Sequence, residues 1–342
     1  MSARPIASEG LLILPHLRIQ NANAISSPLT HGFPSITAFT GLAWALERKL
    51  AAEGIGLSLV ATGVISHAHQ EQVRSGYVDT FHLTRNPVDK DGGTAAIVEE
   101  GRIHLDITLI FAVVWNPEDT VGNVFGQNVE TRQKLANRIA DLVAIGRVAG
   151  GSVLPPQPAP GRRIRPQLLT VPEDAEERAR QFRRLRRQWL PGFALVGRDG
   201  LLRQRWQQLQ AEDVAATPLD AWLDLSRFNW RPRLVPEGEE ASPDGKVEWQ
   251  HDRAEGSGWI VPIPVGYGAL SPLHDGGHVR NARDSTTPLR FVESLYSIGQ
   301  WISPHRLDDV DQLLWYPDNQ PEQGLYRVRN DYAPRIAETS SV

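Results

Sequence analysis

Residues 19–35, IQNANAISSPLTHGFPS, carry seven Asn, Gln, Ser or Thr among seventeen positions. Amides pair bidentately with adenine edges, and amides and hydroxyls both reach phosphate and sugar oxygens, so this stretch has the chemistry of a nucleic-acid contact. Gln20, Asn21, Asn23, Ser26 and Ser27, with Arg18 just ahead of them, are its candidate residues. The same residue types also build turns, because their short polar side chains bond to nearby backbone.

A second stretch, 70–102, separates two strand-like runs by about 30 residues where a simple hairpin needs 2–5. Arg74, Arg85, Asn86, Lys90 and Arg102 give this protrusion phosphate-binding capacity, and Tyr77, Phe81 and His82 supply flat groups that can sit beside a base. Asp91-Gly92-Gly93 is a turn signal and the expected tip. A third stretch, 161–190, holds nine Arg against four acids, whereas 236–256 holds seven acids against two bases. Helical spacing groups Arg180, Arg183, Arg184 and Arg187 on one face, which fits phosphates or an acidic partner. A solvated face explains them too, since Asp174 to Arg178 and Glu176 to Arg180 are i, i+4 pairs. Arg280, Asn281 and Arg283 form a fourth, short polar cluster beside Asp284.

Catalytic and metal chemistry finds less support. The chain has no cysteine, which removes thiolate metal sites, disulfides and cysteine nucleophiles together. Walker, GxSxG, GxGxxG and HExxH signatures do not occur. His274 and His278 are four apart, but Gly276 and Gly277 forbid the helix that would aim both at one ion. His67 and His69 share a strand face without an obvious acidic third ligand. Neither a cofactor nor a metal is called for. A histidine such as His31 or His82 remains able to act as general base on a bound 2′-hydroxyl, which keeps an endoribonuclease as the alternative reading.

The elements that must position these residues follow from the hydrophobic pattern. Residues 11–19 read as a strand, and Ser35 as the N-cap of a helix in which Ile36, Phe39, Ala43, Leu46 and Leu50 repeat at helical spacing. A strand fits 57–69, and in the next one Ile103, Leu105, Ile107 and Leu109 alternate with Arg102, His104, Asp106 and Thr108. A helix over 124–148 and a short strand at 151–154 complete a β-α-β-β-α-β order, the ferredoxin-like or RRM-type α/β (α+β) arrangement. Beyond it, 155–172 is Pro-rich, Thr170 to Glu173 has capping-box form before the Arg-rich helix, and 193–196 reads as a strand. Residues 199–210 and 218–228 read as helices, 231–258 as an acidic Pro/Gly loop, and the tail from Trp259 as strand and helix. These shifts divide the chain into 1–154, a domain with the protrusion at 70–102; 155–258, a linker and helical insertion; and 259–342, a segment returning to the core.

With 41% hydrophobic residues the chain can bury one large core or two modest ones, and its net charge of −4 argues against a protein that coats nucleic acid without specificity. The apolar run 11–14 stops at Pro15, well short of the roughly 18 residues a span needs, so a cytoplasmic protein with no membrane partner is expected.

IQNANAISSPLT at 19–30, LTRNP at 83–87, TAAIVEEGR at 94–102, LPGFALV at 190–196, VPIPVGYGALSPL at 261–273, VRNARD at 279–284 and TPLRFVESLYSIGQWISPHR at 287–306 occur in an order that resembles the Cas-five-like Csy subunit of type I-F CRISPR complexes. The resemblance runs from about residue 11 to Tyr316 and is thin over 115–135, 155–180 and 231–256. It implies an RRM-like fold with a thumb at 70–102, one copy per surveillance complex, a tight pair with the large Csy subunit, and contact with the first backbone Csy subunit. It further implies that the chain grips the 5′ handle of the guide RNA near the target DNA without cutting RNA. On that reading Arg18, Gln20, Asn21, Asn23, Ser26, Ser27, Phe81, His82, Arg85, Asn86, Lys90, Arg102, Arg280, Asn281 and Arg283 are the expected RNA contacts, with a scaffold that never touches RNA as a further alternative.

Overall fold

The structure is a computed structural model that describes residues 6, 8–85, 91–93, 97–116, 124–158, 164–234, 247–253, 258–282 and 284–333. Strand β1 (Gly10–Asn23) leads through a short ribbon to helix α1 (Ile36–Ala52), and β2 (Leu57–Glu71) and β3 (Arg102–Trp115) follow. Helix α2 (Val129–Ala144) and β4 (Gly151–Leu154) come next. Together with α3 (Ala175–Gln188), β5 (Phe193–Gly197), α4 (Asp199–Glu212), α5 (Pro218–Leu225), β6 (Trp259–Ala269), β7 (Val292–Ile302) and β8 (Leu325–Arg329) they form a mixed α/β structure. Its centre is a large curled antiparallel sheet, of eleven strands among the described residues, with the internal order β8-β6-β7-β5-β2-β3-β1-β4.

Alternation along β3 decides which residues face which layer. Ile103, Leu105, Ile107, Leu109, Phe111 and Val113 join Leu12, Leu14 and Ile19 of β1 in a core that packs on α1 and α2. The α1 residues in it are the five expected ones, Ile36, Phe39, Ala43, Leu46 and Leu50, all buried, each contributing about 1.5–3 kcal/mol for a large side chain. Ser35 caps this helix as its sequence position predicts, its side chain accepting from the Thr37 amide. On the other face Ile110 and Ala112 of β3 meet Phe182, Leu185 and Trp189 of the α3 segment. That cover ends before Thr108, so His104 and Asp106 lie on the sheet beyond it, half-buried rather than sealed.

Two readings differ in detail. Thr170 does not cap α3: it ends a strand, Gln167–Thr170, that pairs with β1, and Asp174 takes the N-cap by accepting from the Glu177 amide at 2.8 Å. Competition for backbone partners decides this, because the edge of β1 offers Thr170 a ladder bond that a helix start would forfeit. The acidic loop is framed by a hairpin, Trp230–Leu234 paired with Val247–His251, which pairs with no other strand among the described residues. Trp and Val at alternate positions carry that pairing despite the acidic composition. Among the described residues no helix is long and apolar enough to cross a membrane.

Candidate nucleic-acid interface

The residues of 19–35 first build themselves into a rigid ribbon. The Asn23 amide donates to the Ile25 carbonyl at 2.7 Å and its oxygen accepts from the Ile25 amide at 3.2 Å. Ser27 and Thr30 share a hydroxyl bond of 2.7 Å, and the Ser26 hydroxyl accepts from the Ser35 amide at 2.9 Å. The Ser35 hydroxyl then donates to the Pro264 carbonyl at 3.1 Å, pinning the ribbon to β6. Asn23, Ser26 and Ser27 therefore serve the turn chemistry, while Gln20 and Asn21 stay exposed on β1. Asn21 has φ of 58° at a bulge and donates its backbone amide to His104 Nδ1 at 3.1 Å.

Pinned in this way, the ribbon walls a groove of about 550 Å³ between the free end of β2 and the start of β6. His31, Phe33, His69, Phe193, Trp259 and Trp301 line it. Trp259 and Phe193 are 53% and 47% exposed, so about half of each remains open to solvent at the groove, and Trp259 lies 6.2 Å from the His69 ring. His31 meets Phe81 edge-on with ring centroids 5.8 Å apart. The ribbon and the base of the 70–102 protrusion, remote in sequence, thus converge at the mouth of one groove.

The protrusion is a β-ribbon in which Thr80–Arg85 pairs with Ile97–Glu100, and Val73–Arg74 pairs with the start of the first strand. Residues 91 and 92 turn, with Gly92 at φ 77°. His82 is exposed and opposite Glu100, and Arg85 ends the first strand opposite Ile97. Asn86, Lys90 and Arg283 lie outside the described residues. Arg102 stands opposite Asn23 in the sheet and donates to Glu100 at 3.0 and 2.6 Å, which spends part of its charge within the ribbon. Arg18 stands opposite Asp106 and donates to the Pro155 carbonyl at 3.1 Å. Arg280 and Asn281 are exposed in the connection between β6 and β7, at the other end of that hairpin from Trp259. Asp284 does not pair with them: it accepts from the Thr287 hydroxyl, and from the Thr286 amide and hydroxyl, both at 2.7 Å, which together hold its carboxyl well below the usual carboxylate range.

Sequence reasoning missed one cluster. Bulges in β1 between Leu14 and Leu17 and in β2 between Ser66 and Ala68 re-aim His16 and His67 toward Thr108 of the intervening β3. The two rings stack at 4.1 Å between centroids, 25° from parallel. His67 Nδ1 lies 2.7 Å from the Pro191 carbonyl, an acceptor only, so Nδ1 carries the proton. Its Nε2 accepts from the Thr108 hydroxyl at 2.8 Å, and that oxygen accepts from the His16 amide at 3.3 Å. His16 Nδ1 bonds Asp106 at 3.0 Å. Burial lowers the His67 pKa, against the opposing pull of its bond to Pro191, and His16 lowers it further. Bulge positions leave no mark in a period-2 pattern, so no signal in the sequence joins these residues.

The family model described as CRISPR-associated protein (Cas_Csy2) matches residues 12–328. CRISPR-associated protein Csy2 of Pseudomonas aeruginosa (strain UCBPP-PA14) is 45% identical over 326 residues, covering 93% of this chain and 94% of that one.

Proposed function

Because the chain belongs to the Csy2 family of CRISPR-associated proteins, and so is a Csy subunit of a type I-F surveillance complex, we propose that it holds the 5′ handle of the guide RNA and does not cut it. In this reading it pairs with the large Csy subunit, abuts the first backbone Csy subunit and sits close to the target DNA, all in the cytoplasm. The guide reads the target by base pairing, so this subunit need recognise only the constant handle nucleotides.

The observation that supports the reading most directly is the groove at which ribbon and thumb base meet. Single-stranded bases stack on exposed aromatic faces, each stack worth about 1–3 kcal/mol, while polar groups at the rim meet sugar and phosphate. Trp259 and Phe193 offer such faces, and Gln20, Asn21, His82, Arg85 and Arg102 lie on the strands that lead to the groove. By sequence position Asn86 and Lys90 are assigned to the same handle contact, and Arg280, Asn281 and Arg283 to a separate contact on the guide backbone. The order β2-β3-β1-β4 with α1 and α2 on one face supports reading residues 1–154 as a ferredoxin-like domain carrying a thumb at 70–102. On this reading 155–258 is its insertion and 259–342 the segment that packs back.

Binding of handle-containing RNA by the purified chain tests the proposal. Trp259→Ala with His69→Ala should weaken it about tenfold or more. Equal affinity would move the handle elsewhere, and cleavage of repeat RNA abolished by His31→Ala or His82→Ala would establish the endoribonuclease instead.

A further inference from the structure

On the far side of the His16–His67 stack from the first groove lies a second one, of about 480 Å³. His16 and Asp106 line it from the sheet, Arg187 and Gln188 from the last turn of α3, and Gln157 and Arg165 from the segment between β4 and α3. The Arg-rich helix divides its side chains here. Arg186 donates to the carbonyls of His305 and Leu307, Arg178 to those of Pro172 and Glu173, and Arg180 pairs with Glu176 at 3.9 Å. Arg187 and Arg165, by contrast, are exposed and have no hydrogen-bond or ion-pair partner among the described residues.

The acid in this groove is already engaged, because Asp106 accepts from His16 Nδ1 at 3.0 and 3.3 Å. The other nitrogen of that ring, Nε2, has no partner among the described residues. A groove with two unpaired guanidinium forks, three amide side chains (Gln157, Gln167 and Gln188), and an imidazole whose Nε2 donates when the ring is protonated is suited to an oxyanion with several acceptor oxygens. We propose that it binds the phosphodiester backbone of a single-stranded nucleic acid, at a place distinct from the handle groove. A polymer fits better than a lone ion, because Arg18, directly opposite Asp106 in the sheet, adds a further guanidinium beside the groove. This site rests on its own residues, and its test does not depend on the handle assignment.

The full-length chain is titrated with two fluorescent twelve-nucleotide strands lacking the handle, one of uridine RNA and one of thymidine DNA, over a range of salt. Arg165→Ala with Arg187→Ala should lower affinity about tenfold at low salt and reduce the slope of log affinity against log salt by about 1.4, two phosphates at roughly 0.7 each. Both side chains are exposed, so an unchanged melting temperature shows that the fold is intact. A loss on RNA alone assigns the site to the guide, and a loss on DNA as well assigns it to any single strand the complex exposes. Unchanged affinity and slope on both strands overturn the proposal. So does a variant that binds both strands normally but no longer assembles with the other Csy subunits, since the groove is then a protein contact. Trp259→Ala, measured on handle RNA in parallel, reports separately on the first groove.

Discussion

His16 and His67 stand on strands separated by β3, yet their rings stack at 4.1 Å because each occupies a bulge that turns it over Thr108. The stack has a definite protonation pattern. Nδ1 of His67 donates to Pro191 while Nε2 accepts from Thr108, an arrangement that only the neutral imidazole can make.

A pH dependence of stability follows. The folded pKa of His67 is lowered, by burial first, so below the unfolded value of about 6.5 the unfolded chain binds the extra proton and the folded chain resists it. The stability contributed by neutral His67 is thus fully present above about pH 6.5 and is lost as pH falls through the lower folded pKa. Thermal melts between pH 7.5 and pH 5 should show a falling midpoint, and His67→Gln should flatten that fall while lowering stability at pH 7.5 by about 1–3 kcal/mol. A His67→Gln profile parallel to the parent's would locate the titration elsewhere.

Asp311 is expected to behave in the opposite sense. Burial, reinforced by repulsion from Asp309, raises its pKa to about 6 from an ordinary 3.8. Protonated Asp311 stabilises the fold, so its contribution is fully present below about pH 3.8 and is lost as pH rises through about 6. At pH 7.5 the half-buried carboxylate is a cost, and Asp311→Asn should raise the melting temperature by about 2–4 °C. The gain should shrink to nothing at pH 4, and a gain independent of pH would contradict the argument.

Asn330 closes the structure at the junction of the C-terminal segment and β5. Its buried amide donates to the carbonyls of Leu314 and Gln312 at 2.8 and 3.0 Å, and its oxygen accepts from the amides of Gly197 and Tyr332 at 2.8 and 3.2 Å. Asn330→Ala leaves four backbone groups without this partner, and Asn330→Asp exchanges two donors for a charge. Denaturant unfolding should give a loss of about 2–4 kcal/mol for the alanine variant. The aspartate variant should lose at least as much, because its carboxylate faces two carbonyls.

Much of this was legible where one period governs one element. The alternation of Ile103, Leu105, Ile107 and Leu109 gave β3 its core face, and the spacing of Ile36 to Leu50 gave α1 its buried stripe. The length of 70–102 marked a protrusion, and its base does meet the ribbon of 19–35. Side-chain employment within the ribbon was not legible, since Asn23, Ser26 and Ser27 have the same composition signature whether they meet a base or, as here, their own backbone. The aromatic wall was missed for another reason. Phe193 and Trp259 belong to strands 66 residues apart in sequence that meet only because β7 pairs with both β5 and β6.

The contact of His31 with Phe81 provides the sharpest test of how ribbon and thumb act together. The two rings lie 5.8 Å apart and 78° from parallel, an edge-to-face pair of the kind worth about 0.5–1.5 kcal/mol. His31 is exposed and Phe81 half-buried, so removing either should leave the melting temperature within about 2 °C of the parent. If the pair fixes the thumb base over the groove, His31→Ala and Phe81→Ala should each weaken handle RNA severalfold. The double variant should then bind little worse than either single one, because the first loss already frees the thumb. Fully additive losses would mean that each ring touches the RNA on its own account. Unchanged binding in all three variants would show that the thumb base needs no anchoring by the ribbon, and would take from the handle assignment the structural convergence on which it chiefly relies.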